Sequence, residues 1–141
     1  MTTTHDTTAA RTLAEDWTGG WNHADPERLS ALFSADGTYT DLAIGRTFHG
    51  RAEIAGFRAL SEALIADLHL ELLNAFGDDH HVAVETVYAG HFRGAPSAFA
   101  VRGTTILRIR DGLIEDDTDN YSLATLLQQS GLPADWTPGS D

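Results

Sequence analysis

The chain has 141 residues, 42% of them apolar, and sets nine basic side chains, all arginine, against 21 acidic ones for a formal net charge of −12. That length and apolar content suit one domain spanning 1–141, with an ordered core expected over about 9–132. So acidic a surface repels phosphate backbones and anionic headgroups, which argues against nucleic acid or membranes as partners. The absence of cysteine excludes disulfides, thiolate metal sites and a cysteine nucleophile.

The opening "MTTTHDTTAARTLAEDW" has no basic segment followed by an apolar one, and no later stretch approaches the roughly 18 apolar residues of a membrane span. A cytoplasmic location is therefore expected. Met1 to Thr8 are polar and expected to fray. From Ala9 the spacing of Ala10, Leu13, Ala14, Trp17 and Trp21 predicts a helix, weakened by Gly19 and Gly20 in its last turn. In "HADPERLSALFSADG", Asp25 as N-cap, Pro26 at the first position and Glu27 in the first turn start a second helix, which Gly37 is expected to close.

"TYTDLAIGRTFHG" then reads as a short strand and a glycine turn. A third helix is predicted from about Arg51 to Ala66, burying Ile54, Phe57, Leu60, Leu64 and Ile65. After it the period changes. "LHLELLNAF", "HHVAVETVYAGHF", "AFAVRGTTILRIR" and "LIEDDTDNY", separated by GDDH, RGAPS and RDG turns, predict an antiparallel meander. A last helix over Leu123 to Gln129 stops at Gly131 and Pro133, and "ADWTPGSD" is expected to be loose. The order is α+β: a curved antiparallel sheet wrapped by N-terminal helices forms a cone, whose mouth is a natural ligand pocket.

Side chains two apart on a strand share a face, which groups Tyr39 with Asp41, His91 with Arg93, and Glu115 with Asp117, Asp119 and Tyr121. If these sets face the cone, its interior holds phenols, carboxylates, an imidazole and a guanidinium, the furniture of proton transfer. A single β-bulge between Leu113 and Asp119 would exchange which carboxylates look inward. Asp116, Asp78 and Asp79 read as solvated. "EDDTD" and "DDHH" are poor metal sites, because alternate strand residues diverge and the second motif sits at a hairpin tip, so no metal or other cofactor is expected.

"GWNHADPERLSALFSADGTYTDLAIGRTFHGRAEI" with "RIRDGLIEDDTDNYSLATLLQQSGL" resembles the SnoaL-like branch of the nuclear-transport-factor-2-like superfamily, over about Ala9 to Leu132. That superfamily includes polyketide cyclases, ketosteroid isomerases, limonene-epoxide hydrolases and members that only bind. The resemblance implies an acidic catalytic residue at Asp119, in "DNYSL", with capping of the last helix as the alternative role. It implies a base at Asp41, otherwise an ordinary Asx turn, with Tyr39 set to bind a ligand oxygen. His91 and Arg93 fall where epoxide hydrolases carry Arg-x-Asp, so the second carboxylate of that relay is missing. The positions of the isomerase oxyanion hole hold Trp17 and Thr105, which disfavours a steroid isomerase.

The resemblance thus implies an enzyme acting without a cofactor on a small, apolar, oxygenated metabolite. Asp119, Asp41 and His91 would be catalytic; Tyr39, Arg93, Trp17, Asp117 and Tyr121 would contact the substrate. Polyketide-type ring closure leads, epoxide hydrolysis is the enzymatic alternative, and a non-catalytic binding module is the other class. A homodimer through the sheet is implied as well.

Overall fold

A computed structural model describes residues 7–138, with side chains from Ala9 to Pro138. The expected fraying of Met1 to Thr8 therefore lies mostly outside the described residues, as does the end of the C-terminal tail. The elements are α1 (Thr7–Asn22), α2 (Pro26–Ser30), β1 (Phe33–Asp41), β2 (Arg46–His49), α3 (Gly50–Leu64), β3 (Ile65–Gly77), β4 (His81–Phe92), β5 (Phe99–Arg110), β6 (Leu113–Tyr121) and α4 (Leu123–Ser130). They build the expected α+β architecture, a curved, open sheet with helices against it. The strand order is β2-β1-β6-β5-β4-β3. The sheet is mixed, because β1 runs parallel to β6 while every other neighbour pair is antiparallel.

Local chemistry explains the entries and exits. Asp25 caps α2, its Oδ1 accepting from the Glu27 N–H at 3.0 Å. The helix ends much earlier than Gly37, at the Ala31 cap, and Gly37 lies buried inside β1. A Cβ there would stand 3.1 Å from the Ile114 carbonyl oxygen, so the glycine allows β1 to approach β6 where their register shifts. Gly20 has a similar reason: a Cβ would stand 2.8 Å from the Leu29 Cα, where α1 packs on α2. Between β5 and β6, Asp111 (φ 53°) and Gly112 (φ 76°) make the two-residue turn with left-handed φ at both positions that Asp-Gly favours.

Two strand and helix faces depart from their expected pattern. In α3, Arg58 and Ser61 are buried with Ile54, while Leu60 is exposed. Arg58 earns its place by bridging: its Nη2 donates to the His23 carbonyl at 2.8 Å and its Nη1 to Glu62 at 3.2 Å, with the guanidinium 5.8 Å from the Trp21 ring. In β6, Arg108 pairs with Asp116 but Ile109 with Ile114, so Glu115 is an extra residue in a β-bulge. Ile114 and Asp117, three apart, are consequently both fully buried on the inner side.

The main core lies between helices and sheet, centred on Trp17, Leu29, Phe33, Ile54, Leu107 and Ile114. Each such side chain contributes about 1.5–3 kcal/mol by its burial. A second cluster joins Ile65, Phe92, Phe99, Leu126 and Leu127 under α4. Trp136 packs on it, its ring 4.9 Å from that of Phe92, so the segment expected to be loose is anchored as far as its tryptophan. Among the described residues no helix is long and apolar enough to cross a membrane.

Candidate functional site

The parallel pairing of β1 with β6 creates the site. It sets Asp41 opposite Asp119 and Tyr39 opposite Asp117, on strands about 4.8 Å apart. The side chains then cross diagonally. Tyr39 Oη donates to Asp119 Oδ2, and Tyr121 Oη donates to Asp41 Oδ2 at 3.0 Å. From β5, Thr105 Oγ1 donates to Asp119 Oδ1 at 2.7 Å. Asp41 Oδ1 accepts from the Ala43 and Ile44 N–H groups at 3.0 and 3.1 Å, so the Asx turn exists and leaves the carboxyl in the site. Asp119 does not cap α4. Ser122 does, its Oγ accepting from the Thr125 N–H at 3.1 Å.

Asp117 lies deepest. Trp17 Nε1 donates to its Oδ2 at 2.7 Å, and its buried Oδ1 has no hydrogen-bond partner. Burial, with the neighbouring Asp119 charge second, lifts the Asp117 proton affinity well above the usual carboxyl range. Burial also raises Asp119, opposed by the protonated Asp117 beside it and by hydrogen bonds from Tyr39 and Thr105. Those donors make Asp119 the member of the pair that ionises more readily, while Asp117 keeps its proton. Asp41 is pushed up to about 6, mainly by burial, against the lowering effect of its backbone and Tyr121 hydrogen bonds. Burial and the nearby carboxylates raise Tyr39, Tyr88 and Tyr121, so the phenols stay protonated and act as donors.

These groups open into a small inner cavity of about 50 Å³, lined among others by Trp21, Tyr39, Asp41, Phe57, Tyr88 and Asp119. Beyond it lies a vestibule of about 380 Å³, whose walls are mostly apolar side chains of α3, α4 and the Trp136 segment. Asp41, Phe57, Ser61, Tyr88 and Tyr121 line both spaces and form the neck between them.

The structure thus brings together Asp41, Asp119, Asp117, Tyr39, Tyr121 and Trp17. It does not bring His91 and Arg93 to them. His91 Nε2 lies 2.7 Å from the Ala95 carbonyl oxygen, and Arg93 is exposed with its Nε donating to the Ala63 carbonyl at 3.0 Å. The inward face of β4 carries Val82, Val84, Thr86, Tyr88 and Phe92, and His91 falls on the other parity. Glu115 likewise leaves the inner set, since the bulge turns it outward to Arg110 at 2.8 Å and Arg108 at 3.5 Å. Asp116 also lies outside the set, accepting from Thr38 Oγ1 at 2.5 Å. Sequence reasoning missed Tyr88 and Thr86 as lining residues. The charged Glu85, flanked by Val84 and Thr86, already marks which parity of β4 faces outward.

A cone with carboxyls and phenols at its floor defines a small-molecule site of the α+β cone class. The SnoaL-like domain model matches residues 14–116, and the chain belongs to that family. A protein of ketosteroid isomerase-like fold from Catenulispora acidiphila, crystallised in complex with trimethylamine, is 47% identical with a TM-score of 0.87, over 89% of this chain and 97% of that one. A polyketide-cyclase candidate from Xanthomonas campestris is 23% identical with a TM-score of 0.76 (88% and 98% covered). An LEH-like epoxide hydrolase from M. tuberculosis is 16% identical with a TM-score of 0.72 (88% and 90%). The last two share the fold. No curated protein matches the chain.

Proposed function

We propose that the protein is a cofactor-independent acid/base enzyme of the SnoaL-like family, closing a ring in a small, apolar, oxygenated metabolite. The observation that carries this reading is the pairing of Asp41 and Asp119 on neighbouring strands, each held by a phenol, inside one cavity. Asp41, with a pKa of about 6, is ionised at neutral pH and takes a proton from carbon or hydroxyl. Asp119 supplies a proton to the developing alkoxide, the proton taken up by Asp41 returns to Asp119 after product release, and Asp117 behind them stays protonated throughout. Ring closure by attack of a substrate hydroxyl on an epoxide uses both groups at once. Hydrolysis by water is the alternative, since the same acid protonates the epoxide oxygen for either nucleophile. The inner cavity has no arginine among its lining residues, which weighs against an Asp-Arg-Asp water relay there.

The apolar row Phe76, Ala83 and Ile106, in register across the outer sheet face with Phe76 and Ile106 exposed, supports a homodimer through that face. Sedimentation velocity of the wild type and of Ile106→Glu tests the dimer. Products from a panel of epoxides, some bearing an internal hydroxyl, are analysed by mass spectrometry in ¹⁸O-labelled water. An unlabelled cyclic isomer, lost by roughly 100-fold or more in Asp119→Asn, is expected. A labelled diol identifies a hydrolase instead, and turnover unchanged in Asp119→Asn refutes the assigned acid.

A further inference from the structure

The inner cavity carries an imbalance of charge that a neutral metabolite does not explain. Asp41 and Asp119 line it and Asp117 backs it, yet none of its lining residues is basic. Arg58 is turned away, bound to the His23 carbonyl and Glu62. Arg46 lies on the vestibule side, 4.9 Å from the Phe48 ring, and makes no ion pair with Asp41. Six aromatic residues, Trp17, Trp21, Tyr39, Phe57, Tyr88 and Tyr121, share the lining with neutral groups such as Thr86, Thr105 and Asn120. Trp21 Nε1 on the cavity wall and Asp117 Oδ1 behind it are among the buried polar atoms that have no hydrogen-bond partner among the described residues. Carboxylates within a wall of indole and phenol rings are the environment that stabilises an alkylammonium group, which has few or no donors and is attracted to ring faces. Past the neck at Asp41, Tyr88 and Tyr121, the walls become apolar, with Leu64, Ile65, Phe92, Leu127 and Trp136.

We propose that the inner cavity selects the ammonium head of a small amphipathic amine, whose apolar body occupies the vestibule. The inference deepens the small-molecule enzyme reading by naming a substrate class, and rests on it only for the use of this cavity. The head lies nearest Asp41 at the neck, where no cation among the described residues forms an ion pair with the carboxylate, although Arg46 stands opposite it on β2. Because Asp41, Asp119 and Asp117 compete for few protons in one space, with Tyr39, Tyr88 and Tyr121 facing them, entry of a permanent cation displaces a proton from the cluster. Affinity therefore rises with pH through the range in which the cavity carboxyls ionise, by up to about tenfold per unit.

Isothermal titration with choline and its neutral isostere 3,3-dimethylbutan-1-ol tests the head group. Tetramethylammonium against butyltrimethylammonium tests the body. Choline is expected to bind at least tenfold more tightly than the isostere and more tightly at pH 7.5 than at pH 5.5. Each methylene of the butyl chain is expected to add up to about fourfold. Asp41→Asn is expected to remove most of the preference for choline while leaving the neutral isostere within about twofold, which reports the fold of the variant at the same time. Equal affinities for choline and its isostere, a preference that survives in Asp41→Asn, or no binding of either cation would overturn the proposal. Those outcomes leave the acid/base reading intact, because Asp119→Asn with the product panel judges it separately.

Discussion

Replacing Asp41 with asparagine is expected to stabilise the protein at neutral pH, and the size of the effect follows from its surroundings. The carboxyl is 4% exposed and its pKa rises from 3.8 to about 6 on folding. Between those values the native state holds a proton that the unfolded chain has lost, so stability falls as pH rises through that window. At 1.36 kcal/mol per pH unit the full cost is about 3 kcal/mol, reached above the native value. It is about half as large at pH 5. Asparagine keeps an oxygen for the Ala43 and Ile44 N–H groups, while Tyr121 must turn from donor to acceptor, a loss of about 1 kcal/mol. A net gain of about 2 kcal/mol at pH 7.5, shrinking to roughly 0.5 kcal/mol at pH 5, is expected from urea unfolding followed by tryptophan fluorescence. Such a gain marks a residue retained for its chemistry at the expense of stability. A variant destabilised equally at both pH values would refute the reasoning, since it would show that Asp41 serves the fold and carries no unfavourable charge.

Three further changes separate site from scaffold. Trp17→Phe removes the donor to Asp117 Oδ2, the one bonded oxygen of that buried carboxyl, so a loss of about 1–3 kcal/mol in urea unfolding is expected. Gly19→Ala, where a Cβ meets nothing within 4 Å, is expected to stabilise α1 by about 0.5–1 kcal/mol. Gly20→Ala is expected to destabilise, because its Cβ would press on the Leu29 backbone. Thermal melts that ranked the two alanine variants the other way would contradict the α1–α2 packing.

The fold was legible because local signals agreed with one another. Asp25-Pro26, the Asp111-Gly112 turn and the alternation along β4 and β5 each define an element without reference to distant residues. Gly37 misled for a physical reason: a glycine after a helix-like run reads as a C-cap, whereas here it serves a close strand approach that depends on Ile114, far along the chain. The parallel β1–β6 pair was invisible for the same cause, since pairing partners leave no local mark. Yet it is this pair that brings Asp41 to Asp119. On β6 the inward direction of Asp117, Asp119 and Tyr121 was legible from strand parity, but not the bulge at Glu115 that removes Glu115 from the set. His91 and Arg93 do share a side, but it is the outward parity of β4 and the turn just past its end, which a two-residue spacing alone does not distinguish from the inward one.

The acid/base character of the cone rests on carboxyls that keep protons at pH values where ordinary aspartates have lost them. A ¹³C NMR pH titration of the aspartate carboxyls tests this directly, with Asp41→Asn and Asp119→Asn assigning the signals. Asp41 is expected to titrate near 6 and Asp119 above the ordinary range, each midpoint moving when the other residue is replaced. Midpoints near 3.8 for both, unaffected by either substitution, would contradict a proton-transfer site and leave the cone as a binding module.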